Sequence, residues 1–299
     1  MLRLLSVLLL LTFSFSAVMA QPGPPERVRV IKGEKVKEIG SLKDFKPDPR
    51  VKDIAVRDWN GVIWGNRIKP QKPPYDESSA DQSEGARQDV YNNKNLPEVP
   101  GDNAAFGGVG ATTVAPADPT LAVGPNHVIQ AANATSGTLF RIFNKNGTVL
   151  INDTYLDQVT GFGGLGDPVV LYDQLADRFI MTEFANSGET TNEGLIFAVS
   201  KTSDPVNGGW NIYFFSTGSV FPDYPKYSVW PDGYYATSND FGSSYIGSSI
   251  YAFDRAKMLA GDNTATLQTF RFNTTSYSRY FTMCPVLLQG TTLPPSGTG

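Results

Sequence analysis

Between residues 118 and 273 short apolar runs recur, each bounded by Gly, Pro, Asn or Asp. Runs of this length predict strands joined by tight turns. Three of them open alike. Asp118-Pro-Thr-Leu-Ala-Val-Gly124 leads into His127–Asn133, and Asp167-Pro-Val-Val-Leu-Tyr-Asp173 leads into Arg178–Phe184. Asp223-Tyr-Pro-Lys-Tyr-Ser-Val-Trp230 leads through Pro231-Asp-Gly233 into Tyr234–Asn239. Each copy is an Asp, a proline, a short apolar strand, a tight turn and a second strand. Two more strands are predicted in every unit: Thr138–Asn144 and Thr148–Asp153, Gly194–Ser200 and Trp210–Phe215, Ser249–Asp254 and Thr266–Asn273. Asn144-Lys-Asn-Gly147 supplies a hairpin turn, with Gly where a positive φ is needed. Ile250 and Ala252 alternate with Tyr251 and Phe253, so both faces of the strands are expected to be partly buried.

Four strands in a unit of about 50 residues is the accounting of a β-propeller blade. The fold class expected is therefore all-β, with three propeller-like four-stranded blades and the start of a fourth at Pro285-Val-Leu-Leu-Gln289. A β-sandwich is the alternative. Three blades and a fraction cannot close a ring. The chain is thus expected to be a fragment of a longer protein, unless N-terminal strands complete it.

Ahead of the repeats the pattern changes twice. Arg3 followed by the apolar run Leu4–Val18 and the small-residue site Val18-Met-Ala20 reads as a signal peptide over 1–20, cleaved after Ala20. An uncleaved anchor is the rival reading, although the run is short for a bilayer. Residues 21–100 read as an N-terminal arm and linker. Within it Val28–Ile31 is a first strand, Lys/Glu-rich sequence follows to about Lys52, and Ile54–Ile68, with Trp59 and Trp64, forms a hairpin around Asn60-Gly61. Lys69–Pro100 is polar and proline-rich. Residues 101–299 carry the repeats. No later segment is long and apolar enough to span a membrane, so secretion or display at the cell surface is expected.

Composition agrees and adds one exclusion. Gly 29, Pro 21 and 12% aromatics suit many short strands and turns. A net charge of -4 gives no basic field for nucleic acid or anionic lipid. With one cysteine, Cys284, there is no intrachain disulfide, and its apolar neighbours predict a buried small side chain.

The segments DPVVLYDQLADRF, AVSKTSDP, FPDYPKYSVWPDGYYATSN, YAFDRAKMLAGD and LLQGTTLPPSGTG occur in this order. Together they resemble an uncharacterised family of large secreted bacterial proteins with a propeller-like region, common in Bacteroidetes-type and related bacteria. The resemblance covers roughly Ala115 to Gly299, with VRVIKGE from Val28 also similar. It implies a chain that continues beyond PPSG, and no established reaction. Similar proteins often carry an Asp-rich turn before VGPN, where this chain has only Asp118 in Asp118-Pro-Thr-Leu-Ala-Val-Gly-Pro-Asn126. A cation site built on that turn would have lost ligands here.

No catalytic constellation stands out. The repeated Asp118, Asp167 and Asp223 are the site candidates: as equivalent positions of first strands they would ring a central channel, where carboxylates could bind Ca²⁺. The structural reading, which is favoured, has each Asp capping a turn. Gly161-Phe-Gly-Gly-Leu-Gly166 matches G-x-G-x-x-G, but a strand rather than a helix follows, so it reads as an inter-blade loop. Ser238-Asn-Asp-Phe-Gly-Ser-Ser-Tyr245 fits the Asp-box turn of sialidase-type propellers, in which the Asp accepts from backbone amides. Arg141, Arg178, Arg255, Arg271 and Arg279 show no spacing that gathers them on a substrate carboxylate. His127, the single histidine, lacks a G-x-S-x-G elbow and reads as a turn residue. Glu183, Asp173 and Asp177 could pair for glycoside hydrolysis, depending on their separation. The aromatics from Trp210 to Tyr235 are expected to fill blade interfaces rather than bind sugars. The sequons at Asn133, Asn146, Asn152 and Asn273 matter only in a glycosylating host.

The expectation is thus a secreted or cell-surface binding or scaffolding protein, its ligand a polysaccharide or a protein. The alternative is a sialidase-type glycoside hydrolase working through carboxylates. A channel holding two carboxylates and an arginine would favour the enzyme, and an aromatic-rimmed apolar patch would favour binding.

Overall fold

The computed structural model describes residues 28–53, 109, 114, 116–186, 192–288, 290, 292, 293 and 295. The signal peptide and the Ile54–Ile68 hairpin expected from the sequence lie outside them. Three antiparallel sheets stand side by side. Two short strands come first, β1 (Arg29–Lys32) and β2 (Glu34–Ile39). The first sheet is β3 (Thr120–Val123), β4 (His127–Ala134), β5 (Gly137–Asn144) and β6 (Val149–Tyr155), followed by the helix α1 (Leu156–Thr160). The second is β7 (Gly163–Asp173), β8 (Arg178–Asn186), β9 (Glu193–Ser200) and β10 (Trp210–Gly218). The third is β11 (Phe221–Val229), β12 (Tyr234–Phe241), β13 (Tyr245–Phe253) and β14 (Thr266–Asn273), with α2 (Arg255–Ala260) between the last two. Each sheet is an up-and-down meander in chain order. This is the all-β, propeller-like architecture that the repeats predict.

The alternation of side chains explains why the sheets stack. In the second sheet Phe179, Met181, Ile196, Ala198, Ile212 and Phe214 face the first sheet and meet Ile129, Ala131, Phe140 and Ile142. The intervening residues Ile180, Phe184, Leu195, Phe197, Tyr213 and Phe215 face the third sheet and meet Tyr227, Tyr234, Tyr251 and Phe253. A strand buried on both faces needs apolar residues at consecutive positions, and that is how these strands read. Of the aromatics expected to fill interfaces, Trp210, Tyr213, Phe214, Phe215, Phe221, Tyr227 and Tyr234 are buried, whereas Tyr224 is exposed and Trp230 and Tyr235 are only partly buried.

The predicted first strand at Val28–Ile31 has a specific use. β1 pairs antiparallel with β14, with Arg29 opposite Thr269, and β2 pairs with β10, with Trp210 opposite Ile39. The Lys/Glu-rich sequence thus forms a strap that adds a fifth strand to the second and the third sheet. Gly33, at its bend, donates its N–H to the Ala265 carbonyl at 2.8 Å. A Cβ there would collide with the Phe215 ring. Covering two outer edges in this way removes ready templates for edge pairing.

Candidate functional site

Each first strand has a proline preceded by a left-handed residue, just before β3 and inside β7 and β11: Asp118 (φ 37°), Asp167 (φ 50°) and Tyr224 (φ 52°). Asp tolerates this conformation better than most residues, whereas a Tyr there is strained. The third repeat has one extra residue between Asp and Pro. Asp223 therefore sits one position before the equivalent site, and Tyr224 occupies it.

Asn133, at the end of β4, ties the first two repeats together. Its amide nitrogen lies 3.0 Å from Asp118 Oδ2, 3.3 Å from Asp167 Oδ1 and 3.1 Å from the Pro116 carbonyl. The Asp167 N–H donates to Asn133 Oδ1 at 2.7 Å. Lys226 approaches from the third repeat, with its ammonium 3.1 Å from the centre of the Tyr224 ring. Burial pushes its pKa below the usual lysine value, while Asp167, Cys284, Asp118 and Asp223 act in the opposite direction. The three repeat aspartates thus all act electrostatically on one half-buried cation. Among the described residues no group of three His, Cys, Asp or Glu side chains is placed to hold a metal ion. Asn133 and Lys226 were not legible as site residues; the sequence marks Asn133 only as a sequon.

The other carboxylates do not gather. Asp173 is fully buried and accepts from Arg255 Nε (2.7 Å), Arg255 Nη2 (3.1 Å), the Tyr234 hydroxyl (2.9 Å) and the N–H groups of Leu175 and Ala176. It bridges the second sheet to α2 of the third. Asp177 accepts from the Tyr172 hydroxyl at 2.6 Å, in the turn before β8. Glu183 lies six residues further along β8, roughly 20 Å away by strand geometry. Glycoside hydrolysis needs two carboxyl groups about 5 to 10 Å apart. Glu183 is also completely buried, and burial raises its pKa to about 8. Its Oε2 accepts from the Gly166 N–H at 3.3 Å, which with the Thr138 hydroxyl opposes part of the rise.

The arginines are equally scattered. Arg141 pairs with Asp153, Arg255 with Asp173 and Arg271 with Asp240, each at 2.7 Å, and Arg178 donates to the carbonyls of Ala176 and Asp177. Asp240 departs from the Asp-box expectation: its acceptors are filled by Ser238 Oγ, Ser249 Oγ and Arg271 Nε rather than by backbone amides. His127 Nε2 lies 3.9 Å from Asp204, and among the described residues its buried Nδ1 has no hydrogen-bond partner. Gly161 ends α1 in a left-handed turn and Gly163–Gly166 enter β7, so no helix N-terminus is present for a pyrophosphate.

The outward face of the third sheet is the other candidate. Trp230, Tyr235, Thr237, Ile250, Ala252 and Phe270 line a groove of about 910 Å³, closed on one side by Met283–Val286. The segment after β14 runs along this face without joining a ladder. The Thr282 N–H donates to Asn239 Oδ1 (2.8 Å), Thr237 Oγ1 to the Met283 carbonyl (2.6 Å), Trp230 Nε1 to the Val286 carbonyl (2.6 Å) and Gln174 Nε2 to the Gly290 carbonyl (2.6 Å). Asn239 holds this segment much as Asn133 holds the start of β7. Cys284 is exposed here, contrary to the burial its neighbours suggested. Those neighbours, Val286 and Leu287, are exposed as well.

No protein-family model matches the chain, and no curated protein does. Two solved structures are similar to part of it. One is a family-43 endo-arabinanase from Bacillus licheniformis, at 13% identity and a TM-score of 0.30, covering 48% of this chain and 52% of that one. The other is a thermostable family-43 glycoside hydrolase, at 17% identity and a TM-score of 0.30, covering 48% of this chain and 49% of that one. The chain thus spans about half the length of either, and the likeness is confined to part of a β-rich fold.

Proposed function

We propose that this protein is an exported binding or scaffolding protein of propeller type, and that the outward face of its third sheet seats an apolar segment of a protein partner. The groove over Ile250, Ala252 and Phe270, rimmed by Trp230 and Tyr235, carries this reading. Met283–Val286 already show how the face takes an extended chain: the side chains of Thr237 and Trp230 donate to the backbone carbonyls of Met283 and Val286. Ser228 Oγ, buried in the same lining and without a partner, is a further polar handle. Export rests on the Leu4–Val18 run and the Val18-Met-Ala20 site.

A second reading, glycoside hydrolysis, is favoured by one observation. Asp118 and Asp167 both reach the Asn133 amide, which keeps their oxygens within about 6 Å of each other, a usable spacing for two carboxylates. Fold alone cannot choose, because propellers serve enzymes and binders alike.

Selection of a displayed decapeptide library against the full chain tests the first reading. Apolar peptides are expected, with at least tenfold weaker binding to Ile250→Glu; no enrichment, or equal binding to the variant, would overturn it. Reducing-end release from arabinan that disappears in Asp118→Asn/Asp167→Asn would establish the second reading instead.

A further inference from the structure

The loop after β14 carries aromatic side chains that the interfaces do not consume. Tyr277 stacks on the buried Tyr245 with ring centres 4.9 Å apart, and Tyr280 stacks on Phe272 at 4.4 Å, with interplanar angles of 22° and 20°. Both rings nevertheless stay exposed, Tyr277 at 43% and Tyr280 at 39%. A ring supported from behind and open in front is a pre-formed platform, because little rotamer freedom remains to be lost on binding. Tyr280 is held there by a left-handed backbone (φ 60°), a conformation that a bulky residue seldom adopts. Neither phenol hydroxyl has a hydrogen-bond partner among the described residues.

Between the two rings in sequence stands Arg279. It is exposed and has no carboxylate partner among the described residues, unlike Arg141, Arg255 and Arg271. From Asn263 to Gly299 the sequence contains no Asp or Glu at all. Arg271 is already committed to Asp240, so Arg279 is the free charge of this region. The hydroxyls of Ser276 and Ser278, 2.8 Å apart, lie in the same loop.

We propose that Tyr277, Arg279 and Tyr280 form a binding site for an acidic polysaccharide, with the tyrosine rings stacking on sugar faces and the guanidinium pairing with a uronate carboxylate. Flat aromatic faces suit the C–H faces of pyranose rings, and a planar guanidinium matches a carboxylate bidentately. None of the three residues lines the groove, although Phe272 behind Tyr280 packs on the groove residue Phe270 at 4.8 Å.

Native affinity electrophoresis of the full chain in gels containing polygalacturonate tests the proposal, with neutral laminarin as the comparison. Polygalacturonate should retard the protein and laminarin should do so less. Tyr277→Ala and Tyr280→Ala should each weaken binding about tenfold, while Tyr277→Phe and Tyr280→Phe, which preserve the stacking and the fold, should retain it. Arg279→Gln should erase the preference for the acidic polymer. Absence of retardation, or retention of the preference in Arg279→Gln, would overturn the proposal. Ile250→Glu should bind polygalacturonate normally, so failure of the groove reading and failure of this one are told apart.

Discussion

In the second sheet, residues on both sides of each strand are spent on neighbours: Phe179 and Met181 turn one way, Ile180 and Phe184 the other. In the third sheet the same alternation is only half consumed. Tyr234 and Ala236 pack against the second sheet, while Tyr235, Thr237, Ile250 and Phe270 line an open groove. Two sheets of one design therefore differ in what their second face is for. An apolar face that is covered contributes stability; one that is left open contributes less, and is free to recognise something.

Substitutions should separate the two sheets sharply. The largest loss is expected for Phe197→Ala. Its ring is fully buried between the second and third sheets, against Phe215, Tyr227 and Phe253, and truncation should cost about 4 kcal/mol in urea unfolding. Arg255→Ala comes next. It strands the Asp173 carboxylate in the interface, and about 3 kcal/mol should be lost, with Asp173→Asn in the same background recovering part of it.

Glu183 tests the other interface through pH. Its folded pKa, about 8, lies above its ordinary value of 4.5, so the folded state holds the proton more tightly than the unfolded one. Stability should be greatest below about pH 4.5, from this group, and fall as pH rises to about 8, by up to about 1.4 kcal/mol per unit. Glu183→Gln should remove that slope in melts recorded across the window; an unchanged slope would show that another group sets it. The smallest effect on stability is expected at the open face. Ile250→Glu should shift unfolding by no more than about 0.5 kcal/mol while abolishing peptide capture. A loss comparable to that of Phe197→Ala would mean that this face is core after all.

Much of the fold was legible because strand alternation and the Asp-Pro openings are local signals. All twelve strands of the three units were located, although β7, β11 and β13 start four to six residues earlier than read, at Gly163, Phe221 and Tyr245. What stayed hidden depends on distance in sequence. Nothing near Asp173 announces Arg255, and nothing near Arg29 announces Thr269. Asp223 aligned by residue type, yet the inserted Tyr224 carries the left-handed turn. Cys284 was misjudged because apolar neighbours signal burial only where a partner covers them, and here Val286 and Leu287 are themselves exposed. Tyr277 and Tyr280 did not stand out among the aromatics, because exposure is not written in residue type.

The N-terminal strap bears on how the protein is made. β1 meets β14 about 240 residues later in the sequence. Among the described strands, the earliest in the chain is therefore among the last that can be satisfied. β2 can pair once β10 exists, but until β14 exists β1 has no partner and the strap has no complete site. Contacts of such long sequence separation slow folding. The completed third sheet thus acts as a checkpoint, and the strap is its latch.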